Sequence, residues 1–383
     1  MRFQFKFFII CILILLMTTP VPAFETSGKA TLLMDANSGR ILFQDNPDEQ
    51  VGVASISKLM TLVLALEALE RGEVSLSDEV TASPLAASKR GTRIWLEAGE
   101  TLDFQELLYA VAVGSANDAA VAIAEFIAGS EQGFVDLMNR RAKELGLNST
   151  KFINSNGLSE SDDSYNVMSA LDVANLAMHA MQVPKLMSFV STYEYTMRAD
   201  TTKIPVLWNA NRLLRRYYGV DGLKTGYTKE AGYCVVATAE RDKLRLIGVI
   251  LGQKTDADRE KQARDLLDMG FRKYQSLQFY EKGTVVADVV CQNGEPRKVN
   301  VVVPDDFYIT IERGKELDLE TSISLDREIT APIEVSSEVG KLKVLYDDEV
   351  VGFSPLVLDR NIEKASIISL AFRLVQSLAR SVH

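Results

Sequence analysis

Histidine is almost missing. The 383 residues hold two, His179 within the apolar helical stretch 174–179 and His383 at the end of the chain. A Ser-His-Asp triad therefore has no well-placed base, and a zinc site has no cluster of ligands. A serine nucleophile in this chain must find its base elsewhere, and lysine is the natural candidate. Cysteine is scarce too, with Cys11, Cys234 and Cys291. Cys11 sits in an apolar run without a lipoprotein-type context. The other two are far apart and read as buried thiols, not as a disulfide framework. Positive charge is in deficit, 42 basic against 52 acidic residues for a formal net charge of −10, which argues against nucleic acid as a partner. Only one long apolar run stands out, Phe7–Met17, preceded by Arg2 and Lys6 and followed by Val21-Pro22-Ala23. Basic start, short apolar run and small residues before a cut read as a secretory signal peptide over residues 1–23, the run being too short for a good spanning helix; the competing reading is an uncleaved N-terminal anchor. Removal of residues 1–23 takes two basic and no acidic residues, leaving a charge of −12.

What is present is ordinary globular material, 47% hydrophobic and 25% charged, in a length that predicts two or three domains. The stretch 54–72 organises it. From Leu59 to Leu69 nearly every position is apolar or small, with no single polar face, so the spacing predicts a helix buried on all sides. Gly72 supplies its stop. Yet its first turn carries Ser55, Ser57 and Lys58. Ser55 and Lys58, three apart, share one face. A hydroxyl beside an amine pushed towards neutrality by burial is the arrangement of an activated serine nucleophile. A capping serine with a snorkelling lysine accounts for the same four letters, so Ser-x-x-Lys alone decides nothing.

Taken in order, residues 30–44 read as a hairpin turning at Asn37-Ser38-Gly39. Residues 73–100 are turn-rich. The apolar helical run Leu107–Val113 halts at Gly114-Ser115-Ala116-Asn117-Asp118, and another helix starts at once over 119–128, followed by an amphipathic one over 133–145. Short polar residues wedged between apolar helices either cap a turn or face a ligand. Further on, Lys224-Thr225-Gly226 leads into two alternating strands, 233–239 and 244–252, joined by Arg241-Asp242-Lys243. That places Lys224 on or beside a strand of an antiparallel sheet, where Gly226 permits close approach of a ligand. From about 279 to 358 the chain is short β-like segments broken by Asn293-Gly294, Asp305-Asp306 and Asp347-Asp348, a small all-β sandwich with no chemical constellation. Residues 359–383 read as one helix. Ile368, Ala371, Phe372, Val375, Leu378, Ala379 and Val382 form one stripe, and Ser369, Arg373, Gln376, Ser377 and Arg380 the other. A basic amphipathic helix ending an exported acidic protein reads as an in-plane membrane anchor. The competing reading docks it on the β domain.

Ser55-x-x-Lys58, Ser115-x-Asn117 and Lys224-Thr225-Gly226 occur in that order, 60 and then 109 residues apart. Each is common alone. Hosted on a buried helix, an inter-helix loop and a strand, together they match the signature of penicillin-binding proteins and serine β-lactamases. The chain further resembles the low-molecular-mass type-5 D-alanyl-D-alanine carboxypeptidases. The resemblance runs through 53–61, Ser115–Ala119, Met138-Asn139, Leu145-Gly146-Leu147, Asp221–Gly226 and Ala231-Gly232-Tyr233, and includes the β domain and terminal helix. It implies an α/β, β-lactamase/transpeptidase-like sandwich, an antiparallel sheet flanked by helices, over residues 24–278. A small all-β domain over 279–358 and an anchor helix over 359–383 would follow.

The resemblance also implies roles. Ser55 attacks the carbonyl between the terminal D-alanines of a peptidoglycan stem peptide, and Lys58 takes its proton. The backbone N–H groups of Ser55 and Tyr227 hold the oxyanion. Ser115 relays a proton to the leaving amine with help from Lys224, and Asn117 holds the substrate amide and Lys58. Lys224, Thr225 and Gly226 bind the terminal carboxylate, β-lactams acylate Ser55, and neither cofactor nor metal is called for. Two positions depart from the family pattern. Tyr227 stands where many relatives have histidine, and Ala210 where some have arginine, with Arg212 close by. A β-lactamase of the same fold is the nearest rival, since Glu144-Leu145-Gly146-Leu147-Asn148 spells the Glu-x-x-Leu-Asn of enzymes that deacylate through a glutamate. A DD-endopeptidase using the same machinery and an inactive wall-binding scaffold are the others.

Overall fold

The computed structural model describes residues 24–159, 161, 164–198, 206–291, 293–315, 319–326 and 329–380. The expected signal peptide, residues 1–23, lies outside them.

Five strands make the central antiparallel sheet: β1 (Ala30–Asp35), β2 (Ile41–Asp45), β3 (Val220–Thr228), β4 (Gly232–Arg241) and β5 (Leu244–Gln253), in the order β2-β1-β5-β4-β3. Their side chains alternate between two cores. Leu32, Met34, Val236, Ile247 and Val249 face one way, with Cys234 among them. Leu33, Val235, Ala237, Leu246 and Ile250 face the other. Alternation of this kind, buried on both faces, is what a sheet covered by helices on each side requires.

The first face is covered by the helices α1 (Lys58–Glu70), α2 (Phe104–Ala112), α3 (Asn117–Ala128), α4 (Glu131–Glu144) and α5 (Ala170–Gln182). Of these, α1 is buried on every side from Lys58 to Leu66, as its unbroken apolar run predicts. Ala54–Ser57 form a tight 3₁₀ turn ahead of it. The second face is covered by α6 (Asp256–Lys273), through Ala263, Leu266 and Leu267. The sheet ends at β3, whose free edge looks onto the start of α1.

Beyond α6 the chain becomes β structure. Strand β6 (Tyr274–Tyr280) pairs with β9 (Phe307–Glu312), and β7 (Val285–Val290), β8 (Lys298–Val302), β10 (Leu319–Leu325), β11 (Glu338–Tyr346) and β12 (Glu349–Leu358) form a second sheet ordered β7-β8-β12-β11-β10. Val299, Val301, Phe307, Ile309, Leu342, Val344 and Leu356 fill the core between them, with Cys291. Both described cysteines are free and buried. This pairing begins at Tyr274, ahead of the 278/279 boundary expected from composition. The terminal helix begins later than expected. Glu363-Lys364 pairs with Gly294-Glu295, and only after Ser366, whose Oγ accepts from the Ser369 N–H, does α7 (Ile367–Arg380) start. A strand partner seventy residues away outweighs local helical preference over 359–366, which a local pattern cannot register. Among the described residues no helix is long and apolar enough to cross a membrane.

Candidate active site

The site lies where the edge of β3 passes the turn before α1. Strand and turn are in close backbone contact. A Cβ on Gly226 would fall 2.8 Å from the Val53 carbonyl oxygen and 2.9 Å from the Ser55 nitrogen, so only glycine lets this edge come so near. Gly157 does the same from the other side. Its φ is +82°, and a Cβ there would collide with the Ala54 carbonyl.

Lys58 is fully buried, the largest such side chain among the described residues. Its Nζ contacts three oxygens: Asn117 Oδ1 at 2.6 Å, the Asn156 carbonyl at 2.5 Å and Ser55 Oγ at 3.0 Å. The Asn117 amide is oriented by its other end, since Nδ2 donates to the Arg90 carbonyl at 2.7 Å. Two of the three partners, an amide oxygen and a peptide carbonyl, can only accept. A neutral amine has two N–H bonds and one lone pair. With both N–H groups spent on the obligate acceptors, the lone pair is left facing the Ser55 hydroxyl. The amine is held well below the ordinary lysine range, first by burial and then by the positive charge of Lys224, with Asp118 opposing. Burial and charge thus both disfavour the protonated amine, which lies within hydrogen-bond distance of the Ser55 hydroxyl.

A second pair sits opposite. Lys224, on β3 and 2% exposed, donates from Nζ to Ser115 Oγ at 2.8 Å. Burial, then the neighbouring Arg259, push its pKa down to about 7. Ser115 occupies the turn between α2 and α3 with φ of +55°, a left-handed conformation that a serine adopts at some strain. The turn is tied down by Ala116 N–H to Ala110 carbonyl and Asn117 N–H to Thr92 carbonyl. Asp118, also buried, accepts from the Ile94 and Leu96 N–H groups and so straps the 92–96 segment to α3.

Six predicted residues, Ser55, Lys58, Ser115, Asn117, Lys224 and Gly226, are therefore brought together, and Thr225 lies buried next to Lys224. Tyr227 continues the strand with its ring 55% exposed and stacked on Tyr233, centroids 4.2 Å apart. Asn156 was not foreseen, because it acts through its backbone carbonyl; the Asn156-Gly157 dipeptide was the only visible sign of its turn. Glu144 stands elsewhere. It ends α4, pairs with Arg141 at 3.0 Å, and lines a cavity of about 400 Å³ with Glu67, Glu70 and Arg71. Glu67, Glu70 and Arg71 lie at the far end of α1 from Ser55, about 18–24 Å along a 1.5 Å rise per residue. His179 belongs to that same end, with Nε2 2.9 Å from Glu67 Oε1. Among the described residues no three histidine, cysteine or carboxylate side chains gather to hold a metal ion.

Comparison with known proteins gives the same picture. The family model described as D-alanyl-D-alanine carboxypeptidase matches residues 17–255, more than half of the chain, and that for the C-terminal domain of penicillin-binding protein 5 matches 274–364. D-alanyl-D-alanine carboxypeptidase DacF of Bacillus subtilis is 38% identical over 347 residues, covering 90% of this chain and 88% of the relative. Among solved structures, penicillin binding protein 5 of Haemophilus influenzae superposes with a TM-score of 0.73 at 30% identity, covering 90% of this chain and all of that one. The PBP3 of Streptococcus pneumoniae, described as a peptidoglycan synthesis regulatory factor, gives 0.77 at 29% identity, covering 89% and 100%. With serine, lysine and strand edge arranged as above, the chain belongs to the D-alanyl-D-alanine carboxypeptidase family.

Proposed function

We propose that Ser55 is the nucleophile of a D-Ala-D-Ala carboxypeptidase that trims the last D-alanine from peptidoglycan stem peptides, with Lys58 as its base. The observation that carries this reading is the Lys58 amine, buried, depressed in pKa, and with two obligate acceptors that leave its lone pair to the Ser55 hydroxyl. Ser55 Oγ adds to the carbonyl between the two D-alanines as its proton passes to Lys58 Nζ. The resulting oxyanion lies between the Ser55 and Tyr227 backbone N–H groups, at the place where the β3 edge meets the turn. The Lys224 cation and Thr225 hold the free carboxylate of the terminal residue. Ser115, hydrogen-bonded to Lys224, passes a proton to the departing amine, and Asn117 orients the substrate amide as well as Lys58. The C–N bond breaks, D-alanine leaves, and water attacks the Ser55 ester to restore the enzyme. A β-lactam enters the same sequence and leaves a covalent adduct on Ser55.

The enzyme works outside the cytoplasm, held to the membrane surface by α7. In support, Ile367, Ile368 and Phe372 are 86%, 83% and 64% exposed, while Arg373 fastens the helix to the Gly294 carbonyl and the Glu295 carboxylate. An apolar face turned outward on a helix that Arg373 fastens to the β domain suits insertion in the interface plane. A chain ending at Ala365 keeps the Glu363-Lys364 pairing, so we expect it to leave the membrane fraction with full activity; retention in membranes would overturn the anchor. The test of the chemistry is D-alanine release from an acyl-Lys-D-Ala-D-Ala peptide, with fluorescent penicillin labelling in parallel. Ser55→Ala should abolish both. Labelling that survives in the variant would remove Ser55 from its role, and fast penicillin turnover without D-alanine release would make the protein a β-lactamase.

A further inference from the structure

The Lys58 amine depends on two acceptors, and each is set by a segment of chain that is not part of α1. The Asn156 carbonyl belongs to the turn 154–158. The Asn117 side chain is oriented by the segment 89–92, through the Arg90 carbonyl to Nδ2 and the Thr92 carbonyl to the backbone N–H at 2.8 Å. One carboxylate joins the two segments. Glu131, in the first turn of α4, accepts at Oε1 from Ser155 N–H at 3.3 Å, Ser155 Oγ at 3.0 Å and Asn156 Nδ2 at 3.2 Å. Its Oε2 pairs with Lys89 Nζ at 2.7 Å, and both side chains are mostly buried, 13% and 19% exposed. Ser155 is itself pinned to α1, since its carbonyl accepts from Thr61 Oγ1 at 2.6 Å.

We infer that Glu131 is a positioning residue for the reaction: by bridging Lys89 to Ser155 and Asn156, it fixes both acceptors of the Lys58 amine and thereby the direction of the lone pair presented to Ser55. The inference rests on the reading of Lys58 as base. Its physical content is orientational. A neutral amine rotates freely about Cε–Nζ unless its two N–H bonds are held, and a lone pair turned from the hydroxyl cannot take the proton. Charge-assisted hydrogen bonds in a site shielded from water are the strong kind, and a carboxylate receiving four donors from two loops resists displacement of either. The hydrogen bonds and ion pair of the Glu131 carboxylate go to Ser155, Asn156 and Lys89, so its loss should slow proton transfer while leaving substrate binding intact.

The experiment is active-site titration with fluorescent penicillin, followed by the acylation rate constant per titrated site and by kcat and KM on the D-Ala-D-Ala peptide. For Glu131→Ala we expect full labelling at saturation, acylation and kcat reduced about 10- to 100-fold, within the range of general-base contributions, and KM within twofold of wild type. Glu131→Gln keeps an oxygen for Ser155 and Asn156 and loses the ion pair to Lys89, so it should retain activity to within about fivefold. If the alanine variant does not fold, Glu131→Asp, charged but one methylene too short to span both segments, takes its place with the same expected loss. A purely structural role would lower the fraction of sites that label and leave the rate per site unchanged, and that result would overturn the inference. So would acylation per site within twofold of wild type. Lys58→Ala serves as the control for the parent reading. If it too acylates at the wild-type rate, the assignment of the base has failed; if it does not, and Glu131→Ala acylates normally, only the positioning role has.

Discussion

The two sheets of this molecule are built to different rules. Around the first, the interior is threaded with polar groups: Ser57, Lys58, Thr61, Ser115, Asn117, Asp118, Asn154, Ser155, Asn156 and Lys224 are all buried within reach of one strand edge. In the second unit, the buried polar side chains among the described residues are Thr310 and Ser354. Burying a polar group without a partner costs about 1–3 kcal/mol, and a charged one more. A fold selected only for stability would look like the second unit. The first keeps two buried lysines, each with hydrogen-bond partners and each depressed in pKa. Concentrated, satisfied and electrostatically unfavourable polarity marks where the chemistry is, without any appeal to shape. The cavity between Glu67, Arg71 and Glu144 lies away from these groups, at the other end of α1.

The sharpest way to break this contrast is to make the first core apolar. Lys58→Met keeps the unbranched length and removes the amine. Acylation by penicillin should fall by about 10²–10⁴, the usual range for losing a general base. The Asn117 and Asn156 oxygens then lose a donor, at about 1–3 kcal/mol each, but the methionine no longer carries a desolvated amine. We therefore expect a folded protein with a changed melting temperature and almost no acylation, read by thermal scanning and stopped-flow labelling. Acylation near the wild-type rate would mean that the buried lysine is a structural relic.

A second test uses pH and separates the two lysines. On the proposed mechanism Lys58 acts as the neutral amine, so its depressed pKa predicts an acidic limb. On the same mechanism Lys224 holds the carboxylate as a cation, so its pKa of about 7 in the free enzyme predicts an alkaline limb of kcat/KM there, a tenfold fall per pH unit above it. Bound carboxylate favours the cation, which moves the corresponding limb of kcat to higher pH. Stability should run the opposite way. Unfolded, Lys224 titrates at its ordinary value of 10.5; folded, at about 7. Between these values the unfolded chain binds more protons, so its contribution to stability rises with pH across that window and is level outside it. Activity falling while the melting temperature is supported, measured from pH 5 to 10, is the expected pair. An alkaline limb identical in kcat and kcat/KM would remove Lys224 from carboxylate binding.

How much of this was legible beforehand follows from what each residue does. The polar setting of Ser55, Lys58, Ser115, Asn117 and Lys224 drew attention to them, but it was the three motifs in order and the resemblance they carry that singled them out, and the fold brings these side chains within hydrogen-bond distance of one another. The buried helix declared itself by an apolar run with no polar face, and the strands that follow Lys224 by their alternation. Asn156 contributes a peptide carbonyl that any residue could supply, and Glu131 reads as an ordinary acidic residue in a first helical turn. The start of the last helix was misplaced because Glu363-Lys364 answers to Gly294-Glu295, a partner invisible to a local window. Glu144 misleads in the other direction: a familiar spelling on a helix end that points to solvent and an arginine.

The smallest expected effect bears on whether the second unit matters to the chemistry. Its contacts with the first include Arg40, paired with Glu349 at 2.9 Å, Tyr274, whose hydroxyl donates to the Leu42 carbonyl at 3.2 Å, and Glu312, paired with Lys273 at the end of α6 at 3.0 Å. The Arg40 and Tyr274 contacts are at β1–β2, the side of the sheet opposite β3. Four strand spacings separate that edge from the site, about 19 Å. Leu342, fully buried in the second core, offers a clean perturbation: Leu342→Ala should cost that unit about 2–5 kcal/mol. If the units are independent, the melting transition of the second unit drops while acylation per titrated site stays within twofold of wild type. A parallel fall in acylation would show that the far edge of the sheet communicates with β3. The contrast between an apolar core and a polar one would then describe one cooperative machine, not a catalyst and its support.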